Sequence, residues 1–175
     1  MSPRPVPLPI VRIDGAHALA PWFRRSYADY LAELSPFAPG AYSLDGSGVW
    51  QPDHVPFWLS DPNALALVAL AGGLPRGFAC VGTAGFPYKS ASSDHRLAEL
   101  FVEAPWRRLG LGDALAAAAL GTLSGTWELS VLSGNGRALR FWRRVLPAVA
   151  SRAVVESADP DEVRFRFTAG RAGGA

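Results

Sequence analysis

Hydrophobic positions change their period several times along the chain, and each change marks an element. Val11 and Ile13 alternate with polar neighbours, which predicts a short first strand over Pro9 to Ile13, turned by Asp14-Gly15. Leu19, Trp22, Phe23, Tyr27, Tyr30 and Leu31 recur near helical spacing, so His17 to Leu34 is predicted helical with Pro21 in its first turn. Ser35 to Gly48 is rich in Pro, Gly and Ser and is read as a loop. Val55 to Leu59, bounded by Pro52 and Pro62, makes a short second helix. Two apolar runs, Ala64 to Ala71 and Gly77 to Thr83, flank a turn that begins at Gly72-Gly73 and holds Pro75, which predicts a hairpin. Phe86 to Asp94 is a polar loop, and His95 to Val102 the next strand. Val154-Val155 and Val163-Phe165-Phe167 form a last antiparallel pair, and the tail from about residue 169 reads as frayed.

The most informative stretch runs from Leu97 to Leu120. Leu97, Leu100, Phe101 and Val102 supply a buried strand, Pro105 ends it, and an alanine- and leucine-rich helix starts at about Gly110. The junction is Arg107-Arg108-Leu109-Gly110-Leu111-Gly112. A helix N-terminus carries unpaired N–H groups and about half a positive charge. Gly110 and Gly112 let a ligand approach that backbone closely, and Arg107 and Arg108 add donors suited to phosphate. The result is a phosphate cradle. It is not a dinucleotide fingerprint, since position 115 is Leu115 where a third glycine is needed. Neither glycine is followed by lysine, so it is not a P-loop either.

Trp106-Arg107-Arg108-Leu109-Gly110-Leu111-Gly112 resembles the acyl-CoA-binding motif of the GNAT superfamily of N-acyltransferases, Arg/Gln-x-x-Gly-x-Gly/Ala with an aromatic before it. A second match lies downstream. Trp127 to Leu132 reads as a strand, and Asn135-Gly-Arg-Ala138-Leu-Arg-Phe141-Trp142 after it resembles that family's Asn-x-x-Ala-x-x-Phe/Leu-Tyr helix. The two motifs cover the C-terminal half. The resemblance implies an α/β fold with a mixed, mostly antiparallel twisted sheet of about seven strands flanked by about four helices. It also implies that the strands at Leu97–Val102 and Trp127–Leu132 splay apart, with the pantetheine arm of acetyl-CoA in the gap against the backbone of Leu100, Phe101 and Val102. The pyrophosphate would rest on the N–H groups from Arg108 through Leu109, Gly110, Leu111 and Gly112 to Asp113, with Arg107 beside them.

The chemistry implied is transfer of an acetyl group from acetyl-CoA to an amine of a small molecule or protein, by direct attack on the thioester. The alternative is a non-catalytic acyl-CoA-binding or regulatory module. An amine of pKa about 10.4 must lose a proton to attack, so a base helps, and a backbone N–H near Phe101 or Val102 would polarise the carbonyl oxygen. Glu99 is the candidate base or amine contact, because an unpaired carboxylate inside an apolar strand is costly and its pKa would rise toward neutrality. A structural pairing with an arginine is the competing reading. Asn135 holds the cofactor arm in the family, and by its position is equally a helix N-cap. Many family members place a tyrosine seven residues after this asparagine; here that residue is Trp142, which is expected to pack on the cofactor arm. Indole is no useful acid near neutral pH. Tyr27, Tyr30, Trp50, Trp58 and Tyr88 fall where the family builds its acceptor wall, but helical spacing fits core packing equally, so they stay unassigned.

Composition narrows the rest. At 175 residues with 49% hydrophobic and 18% charged positions, the chain is one globular domain, 1–175. A formal charge of +2 is too small to point to nucleic acid. Cys80 is the single cysteine, and His17, His54 and His95 lie far apart, so neither an intrachain disulfide nor a metal site is expected. The N-terminal MSPRPVPLPIV lacks a signal peptide's apolar core, and no apolar helix spans a bilayer, so a cytoplasmic monomer or homodimer is expected.

Overall fold

The structure, a computed structural model, describes residues 8–170. A seven-stranded sheet with strand order β1-β4-β5-β6-β7-β9-β8 carries the chain. Its strands are β1 (Ile10–Ile13), β4 (Ala64–Ala71), β5 (Leu74–Gly82), β6 (His95–Val102), β7 (Gly125–Leu132), β8 (Val155–Ala158) and β9 (Glu162–Ala169). The remaining strands, β2 (Ser43–Leu44) and β3 (Trp50–Gln51), form a two-stranded ribbon inside and just beyond the segment read as a loop. Its hold centres on one side chain: the Asp45 carboxylate accepts from the Ser47 and Val49 N–H groups and from the Gln51 side-chain amide, a local turn that hydrophobic periodicity does not reveal. The helices are α1 (Ala20–Leu34), α2 (Val55–Ser60), α3 (Leu111–Gly121) and α4 (Gly136–Val149).

Every pairing in the large sheet is antiparallel except β6 with β7. The hairpin strand β5 starts at Leu74, so Pro75 sits inside it, beside a register shift in β4. α4 continues past Pro147 to Val149, because Pro147 forfeits only one bond near the helix end and Ala150 N–H still reaches Leu146 O at 2.9 Å. β9 runs to Ala169, which is buried, so the chain is ordered there; the remainder of the expected tail, from residue 171, lies outside the described residues.

The sheet separates two cores. On one face Leu97, Val102, Trp127, Leu129 and Phe165 pack under α3 and α4 through Leu115, Ala119, Leu139 and Leu146. α3 is alanine-rich because it lies close on the sheet. On the other face Phe23, Tyr27, Trp58, Phe78, Cys80 and Phe101 pack under α1 and α2. Alternation along β6 sends Phe101 to the second core and Val102 to the first. No helix among the described residues is long and apolar enough to cross a membrane.

Candidate active site

β6 pairs with β7 only through its first two residues, His95 with Trp127 and Arg96 with Glu128. Beyond that point they separate, leaving the C-terminal half of β6 with one open edge. Glu103 N–H donates to Arg76 O at 2.9 Å, one step past the Gly77–Val102 pair. Bonded and non-bonded pairs alternate in an antiparallel ladder, so Phe101 spends its backbone groups on Phe78 while Leu100 and Val102 turn theirs to the gap. Of the two N–H groups considered for polarising a carbonyl, Val102 therefore has the right direction and Phe101 does not. The Val102 carbonyl is taken by Arg107 Nε at 2.7 Å.

Two cavities open along this gap. The larger, of about 420 Å³, lies over the start of α3 and includes Leu100, Phe101, Val102, Gly110, Gly112 and Asp113 in its walls. Arg108 and Gly110 both adopt left-handed backbone, φ 62° and 85°, which bends the chain sharply into the helix. The first helical bond is Ala114 N–H to Gly110 O, and no side chain caps the N–H groups before it. A Cβ at Gly110 would meet nothing within 4 Å, so conformation, not crowding, requires glycine there. At Gly112 a Cβ would come 3.2 Å from the Phe141 ring, so there close helix packing favours glycine.

The side chains around this cradle differ from the expectation in one respect. Arg107 is not free for phosphate: its guanidinium donates to both oxygens of Glu33 at 2.7 Å and fastens α1 to the loop before α3. Arg108 remains exposed at the cavity wall, and Leu109 points to solvent while Leu111 is buried. Three further arginines of α4 line the cavity, Arg137, Arg140 and Arg144, of which Arg144 also holds Asp113 at 2.8 Å and Arg137 reaches Glu33 at 3.3 Å. Sequence reasoning passed over them, although spacings of three and four residues place them on one helix face. Phosphate groups fit this arrangement of unpaired N–H groups and a basic rim.

The second cavity, of about 330 Å³, lies on the α1 side of the gap. Tyr27, Tyr30 and Tyr88 line it, together with Tyr42, His54, Phe86 and Arg96, which sequence reasoning missed. Trp58 is core, stacked near Phe57 and Phe86, and Trp50 packs on the same core. Glu99 stands in the wall. The Tyr27 hydroxyl donates to its Oε1 at 3.1 Å. Burial pushes the Glu99 carboxyl up to about 7, against the smaller lowering effects of Tyr30, Tyr27 and Arg96. The arginine pairing that competed with a chemical role is absent from its hydrogen bonds; the Tyr27 phenol takes that place. Asn135 and Trp142 line both cavities. Asn135 Oδ1 accepts from Ala138 N–H at 3.1 Å, so it does cap α4. His95 faces Ser124 O and the Trp127 ring, away from either cavity. No cluster of three metal-ligating side chains occurs among the described residues.

The family model for the Acetyltransferase (GNAT) family matches residues 21–146. The chain belongs to the GNAT acetyltransferase family. Its matched span takes in nearly all of α1, the donor cavity, all of the acceptor cavity's lining but Glu162, and most of α4, and the family's general chemistry, acyl transfer from an acyl-CoA, fits the donor-side cradle. Among solved structures, an acetyltransferase from Thermus thermophilus is 20% identical over 93% of this chain and 98% of that one, with a TM-score of 0.57. The histone acetyltransferase HPA2 and related acetyltransferase from Corynebacterium glutamicum ATCC 13032 is 14% identical over 97% and 100%, with a TM-score of 0.64. An aminoglycoside acetyltransferase from an uncultured soil metagenomic sample, in complex with sisomicin, is 19% identical over 87% and 96%, with a TM-score of 0.53. These likenesses carry the GNAT fold. No curated protein matches the chain in sequence.

Proposed function

We propose that the chain is an N-acetyltransferase that moves the acetyl group of acetyl-CoA to the primary amine of a small molecule. The observation that supports it most is that the two cavities meet across the β6–β7 gap. One offers a helix N-terminus with a basic rim, and the other offers Glu99 among aromatic rings. In this reading the pyrophosphate lies on the N–H groups of Gly110 to Asp113, and Arg108, Arg137 and Arg140 neutralise its charge. The pantetheine arm runs along Leu100 and Val102. Trp142 packs on it, and the Val102 N–H stabilises the oxygen where charge develops. An ammonium entering the second cavity meets tyrosine rings and the Glu99 carboxylate, which removes its proton. A cavity of this volume favours a small acceptor over a folded protein surface.

The test is thiol release. Free CoA is expected only when a primary amine is added to protein and acetyl-CoA. Gly110→Val, which forces a β-branched residue to φ 85°, is expected to weaken acetyl-CoA at least tenfold in calorimetry. Tight acetyl-CoA binding without thiol release for any amine would replace this reading with a non-catalytic acyl-CoA-binding module. That second reading rests on Trp142, which stands where an acidic phenol is common in the family.

A further inference from the structure

The departing thiolate needs a proton, and the acetyl-transfer reading, on which this inference rests, leaves its source open. The thioester must lie where the cavities meet, since donor and amine arrive from opposite sides. Six residues line both cavities: Tyr30, Leu34, Leu100, Asn135, Ala138 and Trp142. Only one of them carries an ionisable O–H. The Asn135 amide and the Trp142 indole are no useful acids, and Asn135 Oδ1 is already spent on Ala138 N–H. The second phenol nearby, Tyr27, is buried, commits its hydroxyl to Glu99, and does not reach the donor cavity.

We propose that Tyr30 of α1 is the acid of this site, protonating the CoA sulfur from the acceptor side. Its ring is held by neighbours on three sides: Phe78 at 5.8 Å, Tyr27 at 5.9 Å and Phe101 at 6.0 Å between centroids, all edge-on. It shares the wall of the acceptor cavity with Glu99, and Tyr27, whose hydroxyl donates to Glu99 at 3.1 Å, packs edge-on against it. The two groups thus form a relay. Glu99 first passes the ammonium proton on to solvent; the neutral amine nitrogen then bonds to the acetyl carbon and gives a second proton to the ionised Glu99. The C–S bond breaks with its electron pair going to sulfur. Tyr30 gives its proton to sulfur as it takes the proton from Glu99. Amide and free thiol result, and both side chains return to their starting states. The net transfer is favourable, from a carboxyl near 7 to a thiol whose usual pKa is about 8.5. Burial, and then the charge of Glu99, push the Tyr30 phenol well above its ordinary range, so it passes the proton in concert and does not rest as phenolate.

Tyr30→Phe keeps the ring and its packing. The readout is kcat against pH, with acetyl-CoA affinity and melting temperature as controls. The groups that face this pair are Tyr27, Tyr42, Cys80 and Arg96. The variant is expected to lose tenfold or more of kcat on the plateau above the Glu99 limb, with affinity and melting unchanged. A smaller loss on the plateau overturns the proposal, including the case in which only the acidic limb moves, since Tyr30 would then merely tune Glu99. A wild-type chain that releases no thiol with any amine would overturn the acetyl-transfer reading instead, before any variant is made.

Discussion

Two carboxylates stand on neighbouring strands of the sheet and are treated in opposite ways. Glu128 of β7 is 1% exposed, yet its oxygens accept from Ser90 N–H at 2.8 Å, Ser93 Oγ at 3.0 Å, the Ser90 hydroxyl and Arg96 at 3.3 Å. Burial pushes its pKa up, but these donors outweigh burial and hold it below the ordinary carboxylate range. Glu99 of β6 accepts from the Tyr27 phenol and feels Arg96 only through space, and burial wins. Glu128 therefore stays ionised and pins the loop 83–94 to β7. Glu99 keeps its proton until near neutral pH and can exchange it. The donors each carboxylate is offered, set against its burial, decide whether it becomes a fastening or a proton carrier.

The largest expected effect comes from Glu99→Gln. It removes the exchangeable proton while keeping size and one acceptor, so kcat is expected to fall about a hundredfold with acetyl-CoA affinity nearly intact. The acidic limb of the pH–rate profile, near pH 7 in the wild type, is expected to vanish with it. Stability moves the other way. Below pH 4.5 the carboxyl is protonated both folded and unfolded; between 4.5 and about 7 only the folded chain retains the proton, so stability falls as pH rises. Above pH 7 the full penalty applies, up to about 3 kcal/mol, and the glutamine variant escapes it. Denaturant melts at pH 4 and 8 would show a variant that gains only at the higher pH. A destabilised variant at pH 8 would mean that Glu99 is a fastening like Glu128.

Glu128→Gln is expected to act on the fold before the chemistry. The amide loses two charge-assisted acceptor bonds and leaves Arg96 without its ion, a cost of about 1–3 kcal/mol. The sign is opposite to that at Glu99. A depressed pKa contributes stability that is present above pH 4.5 and is lost as pH falls through the folded value. The variant should therefore be weakest against wild type near neutrality and converge with it in acid. A kcat loss as large as that of Glu99→Gln, in a chain that still melts normally, would break the distinction between the two carboxylates.

This contrast also explains what the sequence made legible. The donor side is made of one contiguous stretch: a strand, two glycines at a helix start and an asparagine cap, each forced by local backbone geometry, so spacing reveals it. Glu99 was visible because a charge inside an apolar run is costly. Glu128 breaks an apolar run in the same way, but its meaning lies in Ser90, Ser93 and Arg96, which come from other segments. Tyr42, His54 and Phe86 reach the acceptor cavity from loops and the edge of a short helix, with no periodicity. Arg107 lines the donor cavity, but its pairing with Glu33 was not legible, because the two are 74 residues apart in the chain and only the fold brings them together. The splay of β6 and β7 was implied by resemblance alone, since a strand's apolar pattern carries no record of where its neighbour leaves.

The smallest effect is the one that tests the contrast most sharply, because Arg96 faces both carboxylates. It lies in the acceptor cavity wall and contacts Glu128 at 3.3 Å, but reaches Glu99 only through space. On each carboxylate its lowering influence is smaller than those of the hydroxyl and N–H partners already described. Arg96→Met keeps much of the side chain's apolar length and removes the charge. Glu128 retains three donors, so the cost to stability is expected to be only about 1–2 kcal/mol. Glu99 loses a weak stabiliser of its ionised form, so its limb in the pH–rate profile should move to higher pH by no more than about half a unit. Turnover on the plateau above the limb should stay within about twofold of wild type, since the base is then fully ionised in either chain. A shift of a full unit or more would show that Glu99 leans on Arg96 as an ion partner. The phenols would then no longer account for its behaviour, and the two carboxylates would differ in degree and not in kind.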